Sequence, residues 1–385
     1  MTVDPPRRPR VVVVRGHQAN SWHLRPWRHL QDEFEVEVVL TPSSWFDTSL
    51  IGVPAREART LRDRLPHGRL GDLLVRVPGD RYLDPAAAFE GADIVHSQDL
   101  VFWYSAQAAR LKQQLGYKLA LTAWETIPFL DAWRNVRTRP YRRDVLRETD
   151  VFLAATERAK LCLQLEGADP DRIEICAPGV DVERFQAPAD RPPPSEHVVL
   201  TAGRLVWEKG HQDILRAVAA LRRGLVGAGA AAVRAVVVGS GPEDGRLRRY
   251  AAELGIADRV EFRPNVPYEE MPALYGSASC LVLGSLPQWF WEEQFGMVLI
   301  EAMAAGLPVI AARSGAIPEV AGDAFAYVDP GDWVGLARAL EDGPLAAPPG
   351  TRVAYDPALL ERYSDRAAAE RLRTAYRALL YSPPR

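Results

Sequence analysis

The sequence predicts an α/β protein with two doubly wound parallel sheets, one in each half of the chain. Three observations indicate this fold class. Short β-branched runs alternate with longer segments of helical length. Most of these runs are continuously apolar, as expected for strands buried on both faces of a parallel sheet. The alternation stops at a proline-rich segment and then begins again. A chain of 385 residues, 47% of them hydrophobic, is long enough for two such domains.

The first half contains six predicted strands: Val11–Val14, Val36–Leu40, Ile94–Val95, Leu119–Leu121, Val151–Ala154 and Ile173–Ile175. The segment Gln186–Ser195 follows, and its prolines block both helix and ladder hydrogen bonds. We therefore place the domain boundary there and predict a first domain over residues 1–185 and a second over residues 186–361.

The second half repeats the pattern with predicted strands at Val198–Thr201, Ala235–Val238, Val260–Phe262, Leu281–Leu283, Val309–Ala311 and Phe325–Val328. From Pro357 to about Leu380 the spacing predicts an amphipathic helix or helix pair. Two open sheets in tandem each bind ligands at the carboxyl ends of their strands. We expect these two crevices to face one cleft, which suits two substrates held by different domains.

Composition narrows the function classes. With 47 basic and 50 acidic residues the formal net charge is −3, so no global field attracts nucleic acid or an anionic membrane. The three cysteines, Cys162, Cys176 and Cys280, are widely spaced and form neither a metal cluster nor a disulfide framework. The polar start MTVDPPRRPR predicts no signal peptide, and no apolar stretch reaches the roughly 20 residues of a membrane helix. We expect a cytoplasmic protein, with peripheral contact at the inner face of the membrane left open.

The segment QWFWEEQFGMVLIEAMA, from Gln288 to Ala304, is the most informative stretch. Its helix-forming part is apolar except for Glu301, and a buried carboxylate requires partners. The two donor hydroxyls of a ribose would satisfy one carboxylate, but backbone partners would do so equally. Glu293 stands before the helix, and Phe295, Gly296 and Met297 form its start, where free N–H groups and the helix dipole favour a phosphate or a sugar edge. The alternative for Glu293 is an N-terminal cap.

The pattern Glu293-(x)7-Glu301, followed by AMAAGLPVIA, resembles the signature of retaining GT-B glycosyltransferases of family 4. This resemblance implies two Rossmann-like domains, with the C-terminal helix crossing back to the first. It extends to LTAGRLVWEKGH, VVVGSGPE, the stretch Val260–Leu283 and APGVDVERF, and covers about Arg172–Leu380. It implies that Arg204 and Lys209 bind the donor pyrophosphate, as two cations at a helix start are suited to do. It further assigns donor contacts to Gly203, to Gly239 and to the turn at Asn265–Val266.

The first domain resembles the family less closely. The loop after its first strand is RGHQANSWHLRPW, in which Gly16 and Asn20 either contact a substrate or, for Asn20, cap the next helix. Where relatives carry a histidine near the reacting carbon, this chain has Trp124 and Glu125. His96 ends another strand and either lines the cleft or is structural. Asp169-Pro-Asp171 indicates a turn before a strand. A cluster of arginines either forms a solvated, ion-paired helix face, which is the commoner outcome, or binds an anionic acceptor or lipid headgroups; its members are Arg134, Arg137, Arg139, Arg142, Arg143 and Arg147.

From the resemblance we predict a metal-independent, retaining transfer of a hexose or N-acetylhexosamine from a nucleotide-diphosphate sugar to an acceptor hydroxyl. Glu293, Arg204 and Lys209 would be the catalytic groups, and UDP or GDP the nucleotide carrier, with no other cofactor. Two alternatives stay open: a nucleotide-sugar epimerase on the same fold, and an inactive protein that binds sugar nucleotides. The sequence does not distinguish the sugar, the acceptor, the linkage or the oligomeric state.

Overall fold

The computed structural model describes residues 7–42, 44, 46, 48–66, 69–75, 79–133, 136–186, 194–227, 232–264 and 266–381. Contacts divide the chain into two compact units, Met1–Val180 with Asp365–Arg385 and Asp181–Ser364. The first break therefore falls shortly before the predicted boundary at 185–186, and the second falls shortly after the one at 361–362. Most of the predicted linker, residues 187–193, lies outside the described residues.

The described part of the first unit contains a parallel sheet of seven strands in the order β3-β2-β1-β4-β5-β6-β7. The strands are β1 (Arg10–Val14), β2 (Glu35–Leu40), β3 (Ala55–Glu57), β4 (Ile94–Gln98), β5 (Lys118–Ala123), β6 (Val151–Ala154) and β7 (Ile173–Ile175). Its helices are α1 (Arg69–Val75), α2 (Pro85–Phe89), α3 (Trp103–Leu115), α4 (Leu130–Trp133), α5 (Arg139–Glu148) and α6 (Glu157–Leu165). All six predicted strands are present. Edge strand β3 was missed because its sequence, Ala-Arg-Glu, is largely exposed and carries no apolar signal.

The second unit contains a six-stranded parallel sheet, again within the described residues, in the order β10-β9-β8-β11-β12-β13. The strands are β8 (Val198–Ala202), β9 (Arg234–Val238), β10 (Val260–Arg263), β11 (Cys280–Leu283), β12 (Val309–Ala312) and β13 (Ala326–Val328). The helices are α7 (Val182–Phe185), α8 (His211–Arg222), α9 (Asp244–Glu253), α10 (Met271–Gly276), α11 (Met297–Ala304), α12 (Ile317–Ala321), α13 (Trp333–Asp342) and α14 (Pro357–Arg362).

The valine run of β1 shows why these strands are buried on both faces. Val12 and Val14 belong to the apolar core on one side of the sheet, and Val11 and Val13 belong to the core on the other. All four side chains are fully buried. Successive side chains of a strand point to opposite faces, so a strand covered on both sides must be apolar throughout. The continuous apolar runs in the sequence therefore indicated the parallel sheet correctly.

The predicted C-terminal helix is a pair that divides between the two units. After α14, the last helix α15 (Asp365–Tyr381) packs within the first unit. Arg373 of α15 donates to Glu33 at 2.7 Å, and the Tyr376 hydroxyl lies 2.5 Å from Nδ1 of His96 and accepts from Nε1 of Trp27 at 2.9 Å. No helix in the described ranges is both long enough and apolar enough to cross a bilayer.

Each sheet has one point at which the strand order reverses. In the first unit this point lies between β1 and β4, and in the second it lies between β8 and β11. The loops that leave two such strands diverge to opposite faces of the sheet and open a crevice at the carboxyl ends, where doubly wound proteins bind ligands. The two reversal points therefore mark where each unit can hold a ligand.

Candidate active site

Close backbone contacts join the loops around the reversal point of the second unit. A Cβ atom on Gly239, where φ is 138°, would lie 1.9 Å from the carbonyl oxygen of Gly203. A Cβ on Gly210, where φ is 69°, would lie 1.9 Å from the carbonyl oxygen of Gly284. Only glycine permits both the conformation and the approach at these positions. The loops after β8, β9 and β11 are thereby held against one another.

Lys209 and Glu293 meet at this crevice although they lie 84 residues apart in the sequence. The Lys209 ammonium donates to Oε2 of Glu293 at 2.7 Å, and the Ser285 hydroxyl donates to the same oxygen at 2.7 Å. The Lys209 Nζ also lies 5.0 Å from the centre of the Trp291 ring. Glu293 is 6% exposed. This arrangement is a buried, charge-assisted cluster, and Glu293 is not a simple helix cap.

The backbone on the far side of Glu293 is fixed as well. Its carbonyl oxygen accepts a hydrogen bond from the amide of Ala316 at 2.8 Å. The neighbouring Gly315 has φ of 55°, and a Cβ there would lie 2.0 Å from the same oxygen. Glu293 is thus held from both its side chain and its backbone, which pre-orients the carboxylate.

Arg204 lies on the loop after β8, and its side chain is exposed. Within the described ranges its guanidinium forms no ion pair or hydrogen bond. Its carbonyl oxygen lies 3.1 Å from Nε2 of buried His211, whose Nδ1 is 3.2 Å from the Thr201 hydroxyl. Burial lowers the pKa of His211 to about 4, with a contribution from the charge of Lys209 and against the effect of the hydrogen bond to the Arg204 carbonyl. His211 therefore stays neutral and acts as a positioning residue for this loop, a role the sequence interpretation missed.

Glu301 is buried in α11, 5% exposed, and accepts a hydrogen bond from the Tyr275 hydroxyl at 2.6 Å. Burial raises its pKa to about 7, against the effect of hydrogen bonds from Tyr275 and Tyr268. The partners that the sequence left open are thus two phenols from the segment between β10 and β11. A carboxylate has about four acceptor positions, so capacity remains for ligand hydroxyls.

Three predicted donor residues, Phe295, Gly296 and Met297, lie at the start of α11, and they differ in whether the backbone or the side chain is available to a ligand. Gly296, with φ of 85°, precedes the helix, and its carbonyl accepts from the Leu299 amide at 2.9 Å. The Phe295 ring is 2% exposed and packs edge-on against Tyr363 at 5.5 Å, so only its backbone can meet a ligand. Met297 is half-buried.

The predicted donor turn after β10 is described only in part. Val266, which follows β10, is half-buried. The predicted Asn265 lies outside the described residues, so the turn of which it is part is not described as a whole.

In the first unit, the structure favours structural roles for Gly16 and Asn20. Gly16 has φ of 51°, and a Cβ there would lie 2.6 Å from the Tyr104 ring. The Asn20 side-chain oxygen accepts from the His23 amide at 2.8 Å, and its Nδ2 lies 3.1 Å from Nδ1 of His23. The His23 ring stacks on Trp124 at 5.0 Å. Asn20 therefore caps a turn and holds His23, which the sequence interpretation overlooked.

His96 does not line a cleft, and that alternative was wrong. The residue is 0% exposed, and its Nε2 lies 2.7 Å from the Thr122 hydroxyl while its Nδ1 contacts Tyr376. Burial, reinforced by the charge of Arg15, lowers its pKa well below the usual value. A neutral histidine with both nitrogens engaged is a core residue.

Glu125 is held close to the backbone. Its Oε1 accepts from the amides of Thr126 and Ile127 at 2.9 and 3.0 Å. Burial raises its pKa to about 7, and the nearby carboxyl of Asp99 adds to that rise. The side chain is therefore a turn-stabilising acid beside Trp124.

Arginines of the arginine-rich segment form ion pairs, and the Asp-Pro-Asp sequence forms a turn. Arg142 pairs with Asp131 at 3.1 Å and Arg147 with Glu148 at 2.7 Å, both beside or on α5, while Arg134 lies outside the described residues. The side chain of Asp169 accepts from the Asp171 amide at 3.1 Å and forms the predicted turn.

Comparisons with known proteins agree with this architecture. Residues 27–184 match the profile of Glycosyltransferase Family 4, and residues 183–343 match that of Glycosyl transferases group 1. A D-inositol 3-phosphate glycosyltransferase of Nocardia farcinica is 33% identical over 58% of this chain and 52% of its own length. The enzyme of that name from Segniliparus rotundus is 32% identical over 74% of this chain and 66% of its own. The matches thus span between about half and two thirds of these relatives.

Among solved structures, the Anabaena protein HepE in complex with UDP and glucose superposes with a TM-score of 0.72 at 17% identity. That match covers 97% of this chain and 100% of the other. The fold is therefore of the GT-B class, with two Rossmann-like α/β domains. Within that class, the chain belongs to the group 1 glycosyltransferase family.

Proposed function

We propose that this chain is a retaining glycosyltransferase that uses a nucleotide-diphosphate sugar as donor and binds that donor in its second unit. The observation that carries the proposal is the meeting of Lys209, Ser285 and Glu293 at the reversal point of the second sheet. Loops from β8 and β11 bring a cation, a carboxylate and a helix start to one place. Family membership supports the reaction class, and HepE, which shares the fold, binds UDP and glucose.

The charges of the site suit a diphosphate. Exposed Arg204 supplies one cation, and the start of α11 supplies free N–H groups with a positive dipole end. Lys209 supplies a second cation, which Glu293 neutralises before a ligand arrives. A bound diphosphate would share Lys209 with Glu293, and Glu293 would then accept hydrogen bonds from the sugar hydroxyls. Glu301, farther along α11, would accept from the ribose.

In the proposed reaction the bond between the sugar anomeric carbon and the diphosphate oxygen breaks. The acceptor oxygen forms its bond to that carbon on the same face, and the acceptor proton passes to the departing phosphate oxygen. Arg204, Lys209 and the α11 amides stabilise the negative charge that develops on the diphosphate. The protein thus acts by orientation and electrostatic stabilisation, without a nucleophilic side chain.

The epimerase and the inactive binding protein are less favoured, because the relatives are named glycosyltransferases. Their name, D-inositol 3-phosphate glycosyltransferase, makes a phosphorylated polyol a reasonable first acceptor to assay. An epimerase would convert its nucleotide sugar with no acceptor, and an inactive binding protein would turn over nothing. Product analysis with and without acceptor separates the three functions.

The direct test is Lys209→Met, measured by nucleotide-dependent thermal stabilisation and by transfer to an acceptor. We expect stabilisation by UDP or GDP to fall by at least tenfold in apparent affinity, since a ligand that binds only the native state raises its melting temperature. Transfer should fall about a hundredfold or more. Lys112→Met is the matched control, because Lys112 is 14% exposed, pairs with Asp150 at 2.8 Å and lies in the first unit.

Loss of binding in both variants would indicate a general effect on folding, which circular dichroism would reveal. Unchanged nucleotide binding in a folded Lys209→Met protein would contradict the donor site. Absence of stabilisation by every nucleotide diphosphate tested with the wild-type protein would contradict the proposal as a whole.

A further inference from the structure

A tight hairpin follows β11, and the proposed function assigns it no role. The Gln288 amide donates to the carbonyl oxygen of Trp291 at 2.6 Å, and the Trp291 amide donates back at 3.3 Å. At the base of the hairpin, the Leu286 amide donates to the carbonyl oxygen of Glu208 at 2.7 Å. The hairpin is thereby attached to the turn that carries Lys209.

The two tryptophans of this hairpin have different surroundings. Trp289 is 66% exposed and meets the Phe290 ring edge-on, with the ring centres 4.9 Å apart. Trp291 is half-buried, and the Lys209 ammonium lies over its ring, with Nζ 5.0 Å from the ring centre. An ammonium within about 6 Å of an indole face is attracted by the negative charge of that face. Trp291 therefore adds a cation–π contact to the Lys209 side of the candidate site.

The Lys209 side chain is held along its length, yet its ammonium keeps hydrogen-bonding capacity. Its Cδ passes close to Gly203, where a Cβ would lie 3.7 Å away. Nζ has three hydrogens to donate, and among the described residues only the Glu293 carboxylate accepts one. Lys112, whose side chain is equally buried, instead donates to two oxygens at 2.8 and 2.6 Å. For Lys209 the indole face takes the place of the second oxygen, and two N–H donors stay available to a ligand.

This difference matters once a diphosphate binds. In the proposed function the diphosphate shares Lys209 with Glu293, and the carboxylate then accepts hydrogen bonds from sugar hydroxyls. The ion pair that fixes Nζ is therefore weakened at the step in which Nζ has to stabilise the departing diphosphate. The indole face attracts the cation through no hydrogen bond that the ligand must displace, so the contact between Nζ and Trp291 persists.

We propose that Trp291 is a positioning residue of this glycosyltransferase, whose indole face holds the Lys209 ammonium in place for the departing diphosphate. The inference rests on the proposed function for the diphosphate, whereas the contact between the two side chains stands on the geometry of the second unit.

The position of Nζ affects the reaction more than it affects binding. Several diphosphate oxygens can bind a displaced ammonium in the ground state, but the charge of the transition state develops at the one oxygen that leaves the sugar. Groups that stabilise such charge act best when they are fixed before the reaction. Trp291 therefore contributes mainly to kcat and little to the donor KM.

The kinetic test uses UDP-glucose, UDP-N-acetylglucosamine and GDP-mannose as donor probes and measures release of the nucleoside diphosphate, with an acceptor or with water. We expect Trp291→Leu to lower kcat about fivefold to thirtyfold, the range that a cation–π contact supplies, while the donor KM changes less than about twofold. Trp291→Phe restores a ring face and should recover most of kcat. Trp289→Leu is the matched control, because Trp289 lies in the same hairpin but is exposed, and it should leave both constants unchanged.

Fluorinated tryptophans placed at position 291 alone separate electrostatic attraction from mere packing. Successive fluorine atoms weaken the negative charge of the ring face while its size changes little, so these variants provide the comparison even if Trp291→Leu does not fold. We expect log kcat to fall stepwise with the number of fluorine atoms. A kcat that does not respond to fluorination would overturn the inference, as would a Trp291→Phe protein as slow as a folded Trp291→Leu protein or a donor KM that rises as much as kcat falls.

The contact itself is tested without a ligand by a double-mutant cycle in urea unfolding, with Trp291→Leu and Lys209→Met as the single variants. Each variant raises the unfolding equilibrium constant, and coupling should make the rise in the double variant about fivefold to thirtyfold smaller than the product of the two single rises. Additive effects would overturn the contact. Failure of the donor proposal is distinguishable, because it shows as unchanged nucleotide binding in Lys209→Met and leaves the result of the ligand-free cycle as it is.

Discussion

Replacing Glu301 with glutamine should stabilise the ligand-free protein at high pH and weaken its nucleotide binding. Burial raises the pKa of Glu301 from its usual 4.5 to about 7. The ionised carboxylate therefore costs about 3 kcal/mol of folding free energy above pH 7. Because the folded-state pKa is the higher one, this cost is absent well below pH 4.5, grows between pH 4.5 and 7, and is fully present above pH 7. Glutamine keeps the shape and removes the charge.

The assay is urea unfolding of the wild-type and Glu301→Gln proteins at pH 5 and pH 8. We expect the variant to be more stable than wild type by about 1 kcal/mol at pH 5 and by about 3 kcal/mol at pH 8. For a unit of this size that gain corresponds to about 6–12 °C in Tm. Other buried groups also make the free energy of unfolding depend on pH: His211, whose pKa is lowered, adds stability as the pH rises. This contribution is the same in wild type and variant, so the difference between the two proteins reports Glu301 alone.

Nucleotide binding should respond oppositely. If ribose hydroxyls donate to the ionised carboxylate, affinity of the wild-type protein falls up to about tenfold for each pH unit below 7, and Glu301→Gln binds weakly at every pH. A nucleotide sugar is the suitable ligand, since its diphosphate does not titrate in this range. Glu125→Gln is the control, because burial also raises the pKa of Glu125 to about 7. It should gain stability at pH 8 without any change in nucleotide affinity.

The reasoning would be refuted by a stability difference between wild type and Glu301→Gln that is the same at pH 5 and pH 8. It would also be refuted by nucleotide affinity that the substitution leaves unchanged. The first result would contradict the raised pKa of the buried Glu301 carboxyl. The second would contradict the proposed contact between Glu301 and the ribose.

Two further substitutions test the packing that forms the two ligand crevices. Gly210→Ala places a Cβ 1.9 Å from the Gly284 carbonyl oxygen at a φ of 69° and should cost more than about 3 kcal/mol in urea unfolding. Gly116→Ala, at a φ of 78° with open space around it, should cost about 1–2 kcal/mol, and equal costs would contradict the close contact. Tyr376→Phe removes the hydroxyl that bonds a buried histidine and a buried indole, so calorimetric unfolding should show a loss of about 2–4 kcal/mol. Tyr381→Phe, at an exposed tyrosine on the same helix, should change stability by less than about 0.5 kcal/mol, and a loss as large as that of Tyr376→Phe would argue against the hydrogen-bonded core.

Local signals in the sequence were sufficient for most of the strands, although edge strand β3 was missed, and the resemblance supplied the proposed donor residues as a set. Two parallel sheets were predicted from continuous apolar strands, helix-length intervals and the restart of the pattern. The prediction works because a strand buried on both faces has apolar residues at nearly every position. Glu301 is the only acid in an apolar helix segment, so the sequence predicted a buried carboxylate that needs hydrogen-bond partners. The resemblance then associated Glu293, Lys209 and Arg204 with one site.

The partners of those residues were decided by the tertiary structure. Lys209 meets Glu293 only because β8 and β11 are neighbours in the sheet, and strand order does not appear in local sequence pattern. Tyr275 likewise reaches Glu301 from a separate helix, α10, and this contact depends on how the two helices pack. For His96 the sequence left a cleft position and a structural role open, and packing of the last helix against it decides for the structural role.

The sequence by itself therefore determined the fold class, the elements and the chemical character of the donor residues. Only the tertiary structure showed that Arg15 is buried and bonded to the carbonyl oxygens of Val14 and His96, and that His211 supports the Arg204 loop. The reason is physical: periodicity reports how each segment is buried, whereas the pairing of charges depends on which distant segments pack together, and that is fixed by the free energy of the whole fold.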